Sequence, residues 1–532
     1  MKDVNIKDIS RRDSQPLTEL QKSDLKPLPV FGPQDGPALA PLSAQKTAAC
    51  ECGLDGTCAL NLPKPKSREE EDELVKKFLS GVEKLFTKEN NWTFLQPLLL
   101  TMEHCTRCQT CSDSCHIYEA SGRNELYRPI FRSEVLRRLY FKYVKHGGLI
   151  SRWQRGDIEL NWPMVARLAE LSYRCNLCRR CAQTCPIGAD NGLVAHELRK
   201  IFSMEMGISA KEIHDNGSMK QLKTGSSTGM NPAAVRDSMD FIDGEMSEKT
   251  GLDVHTPWDV EGAEYLVMHN AGEILAWPEN PGAFAVILNA AGVSWTMASE
   301  KVAYDSINYG LWYDDAQFAR VALKHAECAK KLKVKKILLG ECGHAHKALS
   351  VIADRILIGD MNIPRVSALT LLRDLILSGK LSLDPSRNDF PVTLHDPCNV
   401  VRLMGVVEPQ REILRHIAPK FREMEPHGVN NYCCGGGSGF AIMSPNNFTD
   451  WRFQVSGRKK LEQVLNAFGD CLDPSIPKYV CAPCSNCKGQ MRDLFAYWGL
   501  WDKHKILYGG LVELIVNAMT NVKPGFLEWE WH

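Results

Sequence analysis

The chain has 532 residues, 44% of them hydrophobic, which is enough for more than one packed core. Lysine plus arginine and aspartate plus glutamate number 64 each, so net charge gives no reason to expect nucleic acid. Residues 1–30 lack an apolar signal-peptide core, Arg11–Arg12 are not followed by the hydrophobic stretch of a twin-arginine signal, and no run of about 18 apolar residues exists to cross a bilayer. With 20 cysteines in so long a chain, reduced thiolates that hold metal are a better expectation than a disulfide framework.

Residues 1–66 are rich in Pro, Lys, Gln and Asp and poor in aromatics, which predicts an extended or disordered arm. Cys50, Cys52 and Cys58 interrupt it, three thiols without an evident fourth ligand. Ser67 followed by Glu70 is a capping box, and Leu74, Val75, Phe78, Leu79, Val82, Leu85 and Phe86 then recur at helical period. Helical patterns at Ser133–Tyr143 and Met164–Leu171 make residues 67–207 a mainly α domain. Residues 208–260 shift to Gly, Ser, Asn, Asp and Met and read as a linker.

Residues 261–532 alternate strand-like and helical runs, an α/β domain. Ala283–Leu288, Lys336–Leu339, Pro391–Leu394 and Lys478–Val480 are the expected strands, with helices at Ala316–Lys331 and Ser367–Ser378. This region reads as a duplication. Val286–Gly292 overlays Val392–Cys398, and Glu341–Ala345 overlays Pro483–Cys487. Gly292 then stands opposite Cys398 and Ala345 opposite Cys487, so the first half has lost thiols that the second keeps.

Two copies of C-x2-C-x2-C-x3-C carry the clearest chemistry: Cys105, Cys108, Cys111, Cys115 and Cys175, Cys178, Cys181, Cys185. Three closely spaced thiolates wrap one corner of a [4Fe-4S] cubane, and in two-cluster ferredoxins the fourth cysteine of each motif serves the other cluster. The expected ligand sets are therefore Cys105, Cys108, Cys111 with Cys185, and Cys175, Cys178, Cys181 with Cys115. Pro186 follows the last cysteine as in the bacterial pattern, whereas His116 holds that place in the first motif. A pair of zinc ribbons competes, but zinc sites normally use two C-x2-C knuckles. Arg107, Arg174, Arg179 and Arg180 lie beside the thiolates, where positive charge stabilises a reduced cluster.

Far downstream stand Cys398, the doublet Cys433–Cys434 leading into Gly435–Gly437 and Gly439, and Cys484 with Cys487. Adjacent cysteines suit a larger or distorted cluster better than one cubane, and the glycines permit positive φ and close backbone approach. Cys481 forms a competing C-x2-C with Cys484.

This arrangement, with Gln490 three residues beyond Cys487, resembles the CCG domain of heterodisulfide reductases. The dicluster motif ahead of one eroded and one complete unit is similar to the K subunits of membrane complexes associated with dissimilatory sulfite reductase. The resemblance implies that Cys398, Cys433, Cys434, Cys484 and Cys487 hold a non-cubane [4Fe-4S] cluster at which a disulfide or trisulfide on a small sulfur-carrier protein with C-terminal cysteines is reduced. It further implies two cubanes feeding that cluster, a quinol-linked cytochrome b partner, and a cytoplasmic, peripheral position on the inner face of the membrane. His395, His344 and His346 are candidate proton donors, with structural roles as the alternative for each.

Cys328 and Cys471 read as ordinary buried thiols, and Lys330–Lys336 as a solvated helix end. The tail Phe526–His532, with Trp529 and Trp531, suits docking or packing equally. The competing function is the electron-transfer subunit of a flavin-linked dehydrogenase of glycolate or glycerol-phosphate type. No dinucleotide-binding glycine fingerprint occurs, so a flavin would sit on another chain. A structural zinc protein is the non-enzymatic alternative.

Overall fold

A computed structural model describes the whole chain except residues 1–3, 14, 33–34, 37–38, 41, 52, 147, 151–152, 154–155, 444–449 and 531–532. It divides into two units: residues 1–213, 312–315 and 432–462, and residues 214–311, 316–431 and 463–532.

The first unit is helical. Ser67 accepts from the Glu70 amide and starts α1 (Arg68–Leu85), which buries Phe78, Gly81, Val82 and Leu85. It packs against α3 (Trp162–Tyr173), which in turn packs with α2 (Pro129–Leu139) and α4 (Asn191–Lys200). The predicted patterns at 133–143 and 164–171 thus fall on helices. The N-terminal arm runs without regular structure over much of its length, yet it is packed against this unit rather than free. Ile9, Leu54, Cys58 and Ala59 are wholly buried, and the Arg167 guanidinium donates to the carbonyls of Ile9 and Arg11 at 3.1 and 2.6 Å.

The second unit contains two four-stranded parallel sheets of like topology. The first is ordered β2–β1–β3–β4, from β1 (Tyr265–Met268), β2 (Trp295–Thr296), β3 (Lys336–Leu339) and β4 (Arg365–Ser367). The second is ordered β6–β5–β7–β8, from β5 (Val392–Leu394), β6 (Phe421–Arg422), β7 (Lys478–Cys481) and β8 (Ile506–Gly509). Parallel neighbours require crossover connections. In this unit those and the flanking segments supply α5 (Pro232–Thr250), α6 (Ala271–Ala276), α7 (Glu279–Ala290), α8 (Asp315–Lys331), α9 (Ala368–Leu377), α10 (Cys398–Leu403), α11 (Pro409–Ile417), α12 (Ser485–Trp498) and α13 (Leu511–Ala518). Ser367 caps α9 through the Leu369 amide.

Three sequence expectations are corrected here. Ala283–Leu288 is not a strand but the middle of α7, each of its six residues fully buried. A short run that is apolar on all sides suits a buried helix as well as a buried strand. Residues 208–260 are not a linker: α5 buries Val235, Met239, Ile242 and Met246 in the core of the second unit. The duplication is real but differently registered. Met268 pairs with Leu339 and Leu394 with Cys481, so β1 matches β5 and β3 matches β7. His269 then stands opposite His395 and Gly272 opposite Cys398, in place of Gly292. The match of Cys342 with Cys484 and Ala345 with Cys487 holds.

Candidate iron–sulfur centres

Both dicluster loops repeat one backbone conformation. Arg107 and Gln109 in the first, and Leu177 and Arg179 in the second, have φ of 59, 68, 50 and 60°. Left-handed conformations at non-glycine residues cost about 1–2 kcal/mol each. Here they alternate with ordinary residues and curl the loop around its sulfurs, with the Leu177 amide donating to Cys175 Sγ at 3.4 Å.

The thiols fall into two crossed groups. Cys111 is pushed up to about 11 by burial and by the neighbouring Cys105 and Cys185. Cys115, pushed up to about 12 by burial, has Cys178 and Cys175 as its thiol neighbours. Cys181 is raised by burial, Asp190, Cys178 and Cys175. Cys115, Cys175, Cys178 and Cys181 also line one small cavity. Among the described residues no cysteine is in a disulfide. Metal binding displaces a thiol's proton, and a cation bound there would offset the burial that disfavours each thiolate on its own.

A cation that donates to a sulfur of the second loop is one that sequence reasoning missed. Arg132 on α2 is buried and donates to Cys175 Sγ at 3.4 Å. Burial opposes its charge, but Cys175, Cys115, Cys181 and Cys111 raise its pKa overall. The arginines named from sequence serve elsewhere. Arg174 pairs with Asp55 at 3.1 Å and stacks on Trp451, and Arg179 pairs with Asp190 at 2.5 Å. Arg180 donates to the Ser114 carbonyl at 2.6 Å, and Arg107 reaches Glu134 at 3.8 Å. Arg132 sits well outside either motif, and only α2 brings it to them.

The doublet Cys433–Cys434 lies on the connection between β6 and β7, in the segment that belongs to the first unit. Each sulfur accepts a backbone amide at 3.4 Å, Cys433 from Gly435 and Cys434 from Gly436, the kind of donor that stabilises anionic sulfur. Gly435 has φ of 91°, and a Cβ there would lie 2.6 Å from the Gly457 backbone. The loop is bonded to the second dicluster motif. Asn176, next to Cys175, donates to the Gly435 and Gly437 carbonyls at 3.0 and 3.4 Å. Its Oδ1 receives Ser456 Oγ at 3.0 Å and lies 2.7 Å from His116 Nε2. Ser438 Oγ donates to the Cys175 carbonyl at 3.0 Å, and buried Arg199 spans Cys175 and Ser438. His116, where the bacterial pattern has proline, is thus a brace for this bridge.

Cys398, Cys484 and Cys487 lie in the second unit, at the carboxyl ends of β5 and β7. Cys484 Sγ accepts the Gly343 amide at 3.3 Å, and Cys487 Sγ lies 3.2 Å from His395 Nε2. Cys481 instead sits in the apolar core cluster of that unit. The strand end is anchored by Asp396, which takes a bidentate ion pair from buried Arg411 at 2.7 and 2.6 Å and the Gly428 amide at 2.6 Å.

His344 and His346 have structural partners. Burial lowers them to about 3 and 4, and they bond to the Asn308 amide, the Cys342 carbonyl and the Ser367 hydroxyl. Cys50 and Cys58 come to 3.8 Å of each other in the arm, and Cys58 lies 3.1 Å from Glu170; Cys52 is outside the described residues. Cys328 is buried in a core cluster and Cys471 is partly buried. Lys330, Lys331 and Lys333 form exposed ion pairs. Trp529 packs edge-on against Phe390 at 4.7 Å, and Trp531 and His532 are outside the described residues.

Residues 101–189 match the 4Fe-4S dicluster domain and residues 392–492 the CCG cysteine-rich domain. The chain is 26% identical to the Hdr-like menaquinol oxidoreductase iron-sulfur subunit 2 of Archaeoglobus fulgidus, over 82% of each chain. It is 25% identical to a dihydromethanophenazine:CoB–CoM heterodisulfide reductase subunit of Methanosarcina acetivorans, over 71% of this chain and 87% of that one. It is 22% identical to the EtfAB:quinone oxidoreductase of Syntrophomonas wolfei, over 66% of this chain and 50% of that one. Fold, thiol loops and matches together define an iron–sulfur protein with a 4Fe-4S dicluster domain and a CCG cysteine-rich domain, similar to heterodisulfide-reductase-like subunits. Within that class the chain is an oxidoreductase component built for electron transfer, similar both to menaquinol oxidoreductase iron–sulfur subunits and to the methanogen heterodisulfide reductase. No helix among the described residues is long and apolar enough to cross a membrane.

Proposed function

We propose that this chain is the catalytic iron–sulfur subunit of a membrane-associated complex in dissimilatory sulfur metabolism, akin to the K subunits of complexes associated with dissimilatory sulfite reductase. Cys105, Cys108, Cys111 and Cys185 would hold one cubane and Cys175, Cys178, Cys181 and Cys115 a second, with a quinol-linked cytochrome b partner as the electron source. Cys398, Cys433, Cys434, Cys484 and Cys487 would hold one non-cubane cluster, which would supply the chemistry to reduce a disulfide or trisulfide on a small sulfur-carrier protein. Bound there, the clusters supply single-electron transfer and a soft iron for sulfur. The chain lies peripherally on the inner face of the cytoplasmic membrane.

The observation that carries the reading is the bonded bridge from Cys175–Asn176 to the glycine loop of the doublet. A passive carrier with two cubanes has no need of a cysteine doublet clamped to one of them. Arg132, 3.4 Å from Cys175 Sγ, would favour the reduced state of a cubane held there, and His395, 3.2 Å from Cys487 Sγ, would deliver a proton to product sulfur.

The test is metal analysis and electron paramagnetic resonance of anaerobic protein, with and without a thiol substrate. About twelve irons are expected, and so is an oxidised signal that responds to thiol and disappears in Cys433→Ser. Cubane signals alone would leave the second reading, an electron carrier for a flavin-linked dehydrogenase, which the likeness to the EtfAB:quinone oxidoreductase favours.

A further inference from the structure

Cleaving a disulfide takes two electrons and two protons: the S–S bond breaks and two S–H bonds form. In the second unit, the loops around Cys484 and Cys487 are buried, so protons need a route. Beneath them lies a group of charges that neither cysteine motif reveals. Lys488, directly after Cys487, is fully buried and its Nζ makes no hydrogen bond. It lies 3.6 Å from Glu273 on α6 and 3.9 Å from Glu513 on α13. Asn280 Nδ2 donates to Glu341 at 3.0 Å and to Glu513 at 3.1 Å, tying the loop after β3 to α13. Ser485 Oγ, beside Cys484, donates to Glu273 at 2.7 Å.

The outer end of this group meets a cavity of about 760 Å³ lined by Glu279, Tyr479, Tyr508 and Glu513 and reaching the exposed tail at Glu528 and Glu530. The Tyr479 hydroxyl donates to Glu513 at 2.7 Å. The backbone leaves no slack, since a Cβ at Gly510 would collide with Glu341 Oε2. Lys249 on α5 faces Glu279, Cys481 on β7 faces Glu341 and Glu513, and Arg492 stacks on Trp277 beside Tyr508.

Four carboxylates surround one ammonium. Burying so much uncompensated negative charge costs several kcal/mol per ion, so part of the group must hold protons near neutrality. Burial raises Glu341 to about 8 and Glu279 to about 7, with Glu513 adding to both and Lys488 opposing. Lys488 itself stays charged: burial works against it, but Glu513, Glu273, Glu341 and Glu279 outweigh that.

We propose that Glu341 and Glu279, held with Glu513 and Glu273 around Lys488, store and relay protons from the cavity to the Cys484–Cys487 loop, coupling proton uptake to disulfide cleavage. This rests on the reading of that loop as part of the reducing site. The two electrons would come from the quinol-linked donor, the two protons from the carboxylates, and solvent would refill these through the cavity.

The test uses the full iron-loaded chain and the variants Glu279→Gln, Glu341→Gln and Glu513→Gln. Infrared spectra taken across neutrality should show a carboxylic C=O band that shifts in D2O, titrates at about 8 and is lost in Glu341→Gln. With reduced methyl viologen as donor and bis(hydroxyethyl) disulfide as acceptor, Glu279→Gln and Glu513→Gln should slow reduction about tenfold above neutral pH. They should also raise the solvent isotope effect while iron content and the thiol-sensitive signal stay as in wild type. A wild-type pH profile in both variants, or no protonated carboxyl near neutrality, overturns the proposal. Failure of the parent reading looks different: wild type itself would neither turn over disulfide nor respond to thiol, and the infrared band would still decide whether the carboxylates hold protons.

Discussion

Replacing Asn176 by alanine removes the centre of the bridge between the second dicluster loop and the doublet loop. Asn176 is buried and makes four contacts, to Gly435 and Gly437 carbonyls, Ser456 Oγ and His116 Nε2. Three of these are 3.0 Å or shorter, and the 3.4 Å contact adds little. At about 0.5–1.5 kcal/mol net for each good bond, the loss is roughly 2–4 kcal/mol, and unsatisfied partners push it to the upper end. Each 1.4 kcal/mol or so is tenfold, so the docked state of residues 433–439 weakens by roughly thirty- to several-hundredfold. Amide hydrogen exchange at Gly435–Ser438 reads that opening directly. Protection there should fall by this factor while α1 and α3 exchange as before, and electron arrival at the doublet should slow in rapid-freeze spectra. Wild-type protection in Asn176→Ala would refute the bridge as the element that positions the doublet. Asn176→Asp, which keeps the acceptor and loses the donor to Gly435, should fall between the two.

Arg132→Met should lower the reduction potential of the second cubane by on the order of 100 mV, read by redox titration, because a buried cation 3.4 Å from Cys175 Sγ favours the reduced state. An unchanged potential would show that the charge is fully screened. Arg411→Met leaves Asp396 buried and unpaired and should destabilise the protein by about 3–5 kcal/mol in denaturant titration. Arg411→Lys should recover only part of that, since the bidentate geometry is lost. Burial raises Asp243 to about 6, so the folded state holds its proton more tightly than the unfolded chain. Its contribution to stability is therefore present below the unfolded value of about 3.9 and is lost as pH rises to about 6. Asp243→Asn should flatten the stability profile over that window, and an identical slope would refute the assignment.

The dicluster domain was legible because its repeated cysteine spacing is a local property of the chain. Ser67 as a cap and β3 at Lys336–Leu339 were legible for the same reason, each being set by a few neighbouring residues. What only the tertiary structure decided involves partners far apart in sequence. The run Ala283–Leu288 became a helix because packing on every side erased the periodicity that separates helix from strand. The repeat took its register from the pairing of β1 with β3 and of β5 with β7, which moved the counterpart of Cys398 from Gly292 to Gly272. Segment 432–462 joined the first unit although the strands on either side of it belong to the second. Arg132 at Cys175, Asn176 at Gly435 and four glutamates around Lys488 left no pattern to find. A ligand spacing is written along the backbone, whereas a charge's partner depends on which chain segments burial forces together.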